Sequence, residues 1–321
     1  MKIMLMHNFC TRLFVPERKQ IALMAEEKSP SRISLRLFAT SRSEKRNRVK
    51  MIREFVHCID VTLVSIKLAI LSVLEYPAEF LGWLLSNPIQ FIVGFATIKF
   101  VVAEFGSING WDYGQLAFLY GLSVISHAFS MIFFVNGWFM GWWVLDGEFD
   151  RLLTRPMGVI YQFLFTDINI LGVTDLVPGI MVFLYGCNKI DFQVTLSNIL
   201  MIFVLLIGAT LIRGGIYIVI GSSAFWTRSS VEFGGFTQEM FDKTTMYPLS
   251  MYPEAFQFIL TYLIPIGWVS FYPASGLLGI ENGCVNGNLA PWITLAVGIV
   301  VILFAAGILK TGLHQYESAG N

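Results

Sequence analysis

Six long apolar stretches limit most strongly how this chain can fold. A helix needs about 20 mostly apolar residues to cross the hydrocarbon core of a membrane, since each residue advances about 1.5 Å along the helix axis. The stretches lie at 80–103, 114–136, 160–186, 195–222, 255–278 and 290–312. Only 14% of the residues are charged, against roughly a quarter in an ordinary soluble domain. The sequence therefore predicts an all-α polytopic membrane protein with six transmembrane helices.

The N-terminal part of the chain has a different composition. It holds 13 of the 22 Lys and Arg residues before residue 54, together with four acidic residues. We expect residues 1–54 to form a basic cytoplasmic arm that is disordered or held on anionic lipid headgroups. An organellar transit peptide is the alternative, but such peptides are poor in acidic residues. Residues 55–321 then form the membrane domain.

A shorter apolar run, "FVHCIDVTLVSIKLAILSVLE" at 55–75, precedes the first long stretch. It carries Asp60 and Lys67 and ends before Tyr76-Pro77. These charges favour an amphipathic helix that lies on the membrane surface over a seventh crossing.

Orientation is predicted from the cations in the short connections, because cytoplasmic loops are enriched in Lys and Arg. The connections at 137–159 and 223–254 each hold two cations, and both lie on the side of the basic arm. The alternate connections, 104–113, 187–194 and 279–289, hold only Lys189. Six crossings with both termini in the cytoplasm satisfy every loop.

Motifs for bond chemistry are missing from the sequence. It contains no GxxxxGK[ST] phosphate loop, so ATP-driven transport would need a nucleotide site on another polypeptide. It also contains no HExxH or GxSxG pattern, and its four cysteines and four histidines show no metal-ligand spacing. We therefore expect no catalytic residue, no metal site and no cofactor in this chain.

Two motifs carry a resemblance to a known family. The segments "GEFDRLLTRPMGVIYQFL" (147–164) and "YPLSMYPEAFQFILTYLIPIGWVSFYPASGLLG" (247–279) resemble the permease subunits of ABC-2-type transporters. The closest likeness is to a little-characterised ABC-2-like permease branch, and it covers roughly 57–312. Residue Glu254 departs from the pattern, in which a basic residue tends to follow the second Tyr-Pro pair. The resemblance implies the ABC-2 exporter permease fold, a second copy or sister permease, and two ATPase subunits that hold ATP and Mg.

The resemblance also implies a role for the polar connection between the second and third crossings. In that family this connection forms a coupling helix, placed here at 147–157, which seats in a groove of the ATPase. Phe149, Leu152 and Leu153 lie three and four residues apart and predict an apolar face for docking. The alternative is an ordinary solvated loop. The predicted ATPase-coupling residues are Glu148, Phe149, Asp150, Arg151, Leu152, Leu153, Arg155 and Pro156.

Charged residues inside the apolar stretches are costly and need a reason. Asp167 and Asp175 lie in the third stretch and Arg213 in the fourth. Asp167 and Arg213 lie at similar depth, so a pair that acts as a hinge or gate is one hypothesis. The alternative is that each side chain reaches the headgroups or faces a neighbouring helix.

Two further pairs of residues carry structural predictions. Pro265 and Pro273 predict a kink in the fifth span, or else a re-entrant turn on the outer side. Cys187 and Cys284 fall in two outward connections and would share the oxidising side, where a disulfide would tie the spans together. Two unpaired thiols are the alternative.

Together these observations predict the permease subunit of an ATP-driven ABC-2-type exporter with its substrate path at a dimer interface. We expect it in the bacterial plasma (inner) membrane, in contact with lipids and with no nucleic acid. The alternative function is an ion-coupled secondary transporter that uses Asp167 and Asp175 as a relay. The sequence does not name a substrate, because lipid-facing helices are apolar whatever the cargo.

Overall fold

The computed structural model describes residues 57, 59–155, 158–165, 168–227, 231–280 and 287–316. Within these residues the chain is helical and has no strand, apart from an isolated bridge between Ile108 and Trp111. The helices are α1 (59–75), α2 (Pro77–Phe105), α3 (Tyr113–Leu145), α4 (Glu148–Thr154), α5 (Val159–Phe165), α6 (Val173–Lys189), α7 (Leu196–Ser222), α8 (Ala224–Thr227), α9 (Val231–Met246), α10 (Glu254–Phe258, continued as a π-helix over Ile259–Leu263), α11 (Phe271–Leu278) and α12 (Ala290–Gln315). The predicted basic arm at 1–54 lies outside the described residues.

The long helices form one bundle with two ends. We call the end that carries the loop 106–112 the first end, and the end that carries α4 the second end. Five helical segments are long and apolar enough to cross a membrane, namely Phe80–Phe105, Tyr113–Leu145, Ile170–Lys189, Leu196–Thr227 and Ala290–Gln315. The predicted all-α membrane fold is confirmed.

Helix α3 is the central element of the bundle. It begins at a capping box in which Asp112 accepts from the Gln115 backbone and Gln115 accepts from that of Asp112. Its 33 residues, about 50 Å at 1.5 Å each, exceed the thickness of the hydrocarbon core, so it continues past the predicted limit at residue 136. Most of its side chains are buried against α6, α7 and α9.

Close helix contacts depend on glycine, because lipid supplies no hydrophobic force between helices and small residues let backbones approach. A Cβ on Gly186 would lie 2.4 Å from the Phe118 backbone nitrogen, so α6 touches α3 there. A Cβ on Gly208 would lie 2.6 Å from the Leu295 backbone nitrogen, so α7 touches α12 in the same way.

The third predicted stretch, 160–186, is not one continuous helix. Helix α5 ends at Phe165, and the chain resumes with a 3₁₀ turn at Ile170–Gly172 that leads into α6. The Asn169 backbone N–H donates to the Ile132 carbonyl, and its side chain caps the 3₁₀ turn. The break therefore lies before Ile170, whereas Pro178 is inside α6.

The fifth predicted span, 255–278, is not a straight crossing. The segments Glu254–Leu263 and Ile266–Leu278 meet at an angle of 76°. Pro265 lies in the non-helical bend, while Pro273 lies in the first turn of α11, where proline is tolerated. The Trp111 and Phe271 rings lie 5.7 Å apart, which places α11 at the first end. This is the arrangement of a re-entrant hairpin.

Helix α9 packs along α3 from near the second end to about the middle of α3. A Cβ on Gly234 would lie 2.5 Å from Trp138, near the second end, whereas Thr245 bonds Ser123 at 2.6 Å. Farther on, the Asn109 side chain donates to the Ser250 carbonyl at 2.9 Å. The prediction that 223–254 stays at the cytoplasmic end is therefore wrong, because Ser250 lies at the first end.

Residues 59–75 form α1, outside the bundle and near the second end. The Thr62 and Tyr161 hydroxyls lie 2.5 Å apart, which places α1 beside α5. Its Lys67 side chain is exposed, as are Leu63 and Leu68. The chain turns at Tyr76, after which Pro77 occupies the first turn of α2.

Candidate functional site

The polar connection at the second end folds as the short helix α4. Gly147 precedes it with φ of +72°, a left-handed conformation that glycine adopts without a Cβ clash. The acidic residues Glu148 and Asp150 occupy the first turn, where they complement the helix dipole. Arg155 is extended and ends the helix, and Pro156 lies outside the described residues.

The apolar face of α4 points back into the protein. Phe149 is completely buried, and Leu152 is 2% exposed. The Phe149 ring packs 5.2 Å from Phe225 and 5.8 Å from both Phe163 and Tyr316. The prediction that Phe149 and Leu152 form the docking face is therefore wrong, because a helix lying on the end of a bundle buries its apolar side there.

The outward face of α4 is polar. Glu148 and Arg151 form an ion pair at 2.8 Å with both side chains partly exposed, which adds only about 0–1 kcal/mol to stability. Leu153 is 49% exposed, and Arg155 is exposed. This face, which we call the α4 surface (Glu148, Arg151, Leu153 and Arg155), carries one apolar side chain among charges.

An aromatic cluster ties α4 to several helices. Phe149 of α4, Phe163 of α5, Phe225 of α8 and Tyr316 after α12 share ring contacts. Burial and the neighbouring Asp150 raise the pKa of the Tyr316 phenol, which stays protonated near neutral pH. The cluster therefore links α4 by side-chain contacts to α5, α8 and the residue that follows α12.

A second polar cluster lies inside the bundle around Asp175. The Asn87 side chain donates to the Asp175 carboxylate at 2.5 Å and to Thr174 at 3.1 Å. His127 Nε2 lies 3.7 Å from the other carboxylate oxygen, and Asp175 is only 4% exposed. Asp175 thus joins α2, α3 and α6, although the sequence offered no partner for it.

Arg213 is buried in the middle of α7 at 1% exposure. Its Nη2 donates to Ser123 at 2.8 Å and to Thr245 at 3.3 Å, and its guanidinium carbon lies 4.6 Å from the Phe241 ring centroid. The predicted partner Asp167 lies outside the described residues, so the Asp167–Arg213 pair stays a prediction.

A cavity of about 530 Å³ opens between α2 and α9 at half the depth of the bundle. It is lined by polar residues, namely Gln90, Thr97, His127, Arg213, Gln238, Glu239, Asp242, Lys243 and Thr245, and by apolar and aromatic ones such as Phe91, Tyr120 and Trp138. The sequence did not indicate Glu239 and Asp242 as site residues, because the stretch 223–254 was predicted as a connection on the cytoplasmic side. The feature of the sequence that could have indicated these two residues is the spacing of polar side chains along 238–245.

The remaining predicted site residues lie at the first end. Cys187 is half-buried near the end of α6. Cys284 lies outside the described residues, so the disulfide between them stays a prediction. Pro265 and Pro273 belong to the re-entrant hairpin described above.

These features define the class of the protein, which is a multi-pass α-helical membrane protein with buried charges and a short polar helix at one end. Residues 89–320 match the family model described as "ABC-2 family transporter protein". The chain belongs to this family, as its motifs predicted, and is a membrane permease of the ABC exporter type. Comparison with curated proteins found no match, and neither did comparison with solved structures.

Proposed function

We propose that this permease is driven by separate ATPase subunits, which bind ATP and Mg and dock on the α4 surface. The observation that carries the proposal is the geometry of α4. It presents charges outward, while its Phe149 ring packs against Phe163 of α5 and Phe225 of α8. The sequence has no phosphate loop, so the nucleotide site belongs to the partner.

The orientation in this proposal follows the positive-inside rule. The second end, with Arg151, Arg155 and Lys310, faces the cytoplasm of a bacterial inner membrane, and both termini lie there. The re-entrant hairpin then lies on the outer side.

A second permease, either an identical copy or a sister chain, covers the face between α2 and α9. Glu239 and Lys243 are exposed on α9, and Gln90 and Thr97 are exposed on α2. Charged side chains at membrane depth are costly against lipid, so this face favours a protein or water neighbour. A partner there encloses the cavity and forms a substrate path at the dimer interface.

In this mechanism the ATPases push on α4 when they close. The push reaches α5, α8 and α12 through the Phe149 cluster, and reaches α3 directly through the turn at Asp146 and Gly147. Transport then requires that the cargo bind the two states of the path with different affinity, because a ligand shifts an equilibrium only by its differential binding.

Affinity purification from mild detergent tests the proposal. We expect an ATPase with a phosphate loop to accompany the tagged parent protein, but not the double variant Leu153→Asp, Arg155→Glu. Both changed residues are exposed, so the fold should persist. Lys310→Glu is the matched control, since it reverses an exposed charge near the same end away from α4. Absence of any ATPase from a well-folded parent would contradict the proposal.

The second candidate function is the ion-coupled transporter, and the burial of Asp175 beside His127 and Asn87 favours it. The ion-coupled transporter differs from the proposed exporter in its energy source. A single chain in liposomes would then move cargo under a proton or sodium gradient without ATP, and Asp175→Asn would abolish that movement.

A further inference from the structure

Arg213 lines the central cavity with part of its guanidinium unused. Its Nη2 is bonded to Ser123 and Thr245, but among the described residues Nε and Nη1 have no acceptor at hydrogen-bond geometry. A buried guanidinium that has only part of its N–H groups satisfied is costly, and an anionic group such as a phosphate or carboxylate suits it as counter-ion. An anionic group in the cavity would therefore be favoured beside Arg213.

Opposite charge lines the same cavity on α9. Asp242 takes part in it beside the Gln238 side chain, and it forms no ion pair with Arg213 within 4.0 Å in the part of the chain that the structure describes. Glu239 and Lys243 lie nearer the opening and are exposed. A ligand that is only anionic would meet the repulsion of Asp242, and one that is only cationic would meet that of Arg213.

We propose that the cavity binds a zwitterionic amphipathic molecule. Its phosphate or carboxylate lies on the Arg213 side of the cavity, its ammonium faces Asp242, and its apolar part lies along Phe91 and Trp138 toward the opening. The cavity volume of about 530 Å³ lies within the roughly 300–1,000 Å³ of ordinary ligand sites. Binding of this molecule in the cavity does not depend on an ATPase partner. The further claim that the bound molecule is the transported cargo rests on the proposed function.

Native mass spectrometry of the purified full chain in neutral detergent tests the site. The probes are dioleoyl phosphatidylethanolamine, which is zwitterionic, and dioleoyl phosphatidylglycerol, which is anionic and has the same chains. We expect the parent to prefer the zwitterion about tenfold. Arg213→Gln should weaken that binding about tenfold, a difference of about 1.4 kcal/mol. Lys310→Gln, which removes an exposed cation elsewhere, should leave it unchanged.

Asp242→Asn keeps the test valid if Arg213→Gln fails to fold. Removal of the carboxylate should raise binding of phosphatidylglycerol relative to phosphatidylethanolamine, a reversal that misfolding does not produce. Free phosphoethanolamine forms a separate arm. Its competition with the lipid would support the site with a soluble zwitterion as ligand, and lack of competition beside lipid binding would support a lipid ligand.

Three outcomes would overturn the proposal. Equal binding of both lipids by the parent, or no effect of either cavity variant, would show that the charges do not select the ligand. An Asp167→Asn variant that raises binding of phosphatidylglycerol, with Arg213 unchanged, would show that the partner of Arg213 in the parent is internal. Failure to recover an ATPase, by contrast, would bear only on the proposed function.

Discussion

At the scale of single residues, two neighbours on α4 have opposite roles. Phe149 is buried among Phe163, Phe225 and Tyr316, whereas Leu153 is 49% exposed and packs outside that cluster. The sequence placed both on one docking face because three- and four-residue spacing shows that a face exists but not what covers it. The protein's own helices cover part of that face.

Substitutions at these two residues should therefore affect different properties: the stability of the fold at Phe149, and partner binding at Leu153. Phe149→Ala should lower the stability of the permease by about 3–5 kcal/mol, as for large buried aromatics in general. Leu153→Ala should change it by less than about 0.5 kcal/mol. Thermal unfolding in detergent, followed by tryptophan fluorescence, checks both values. Equal melting temperatures for the two variants would contradict the burial described here.

At the scale of helices, the sequence predicted the apolar crossings well and the polar one badly. Continuous apolar runs located α2, α3, α7 and α12, because those helices meet lipid or apolar neighbours. Helix α9 was not predicted as a crossing, because its polar residues, which face a cavity inside the protein, lower its hydropathy. The hairpin 254–278 was taken for a crossing because it is apolar, although Pro265 bends it at 76°.

The contact between α7 and α12 gives a prediction at this scale. Gly208→Val should cost about 1–3 kcal/mol, because the new side chain meets the Leu295 backbone, which has no room to move. Gly307→Val on α12 is the control, since a Cβ there meets nothing within 4 Å. Unfolding temperatures in one detergent measure the difference. A control as destabilised as Gly208→Val would mean that helix propensity and not packing sets the effect.

At the scale of the whole molecule, the structure and the pattern of loop charges place residues 223–254 differently. Loop cations place residues 223–254 entirely on the cytoplasmic side, but the contact between Asn109 and Ser250 places the end of that stretch with the opposite loops. The orientation rule misleads here because it assigns the whole connection to one side, although Lys243 lies toward the end of α9 that is away from Gly234 and Trp138.

Cysteine labelling with a membrane-impermeant maleimide tests this course in a background whose native cysteines are replaced by serine. All three test positions are exposed, so a cysteine at each should be accessible to the reagent. Met251→Cys should react from the same side as Ser107→Cys and from the side opposite to Thr154→Cys. Reaction of Met251→Cys only from the side of Thr154→Cys would restore the hairpin as the fifth crossing.

Contact between an ATPase and the α4 surface is tested most directly by photo-crosslinking in cells. A photoreactive amino acid at Leu153 should capture an ATPase subunit with a phosphate loop, identified by mass spectrometry. The same group at Leu152, which is 2% exposed, should give crosslinks within the chain only. Crosslinks from position 153 to lipid alone, in cells that also make the ATPase, would contradict the account.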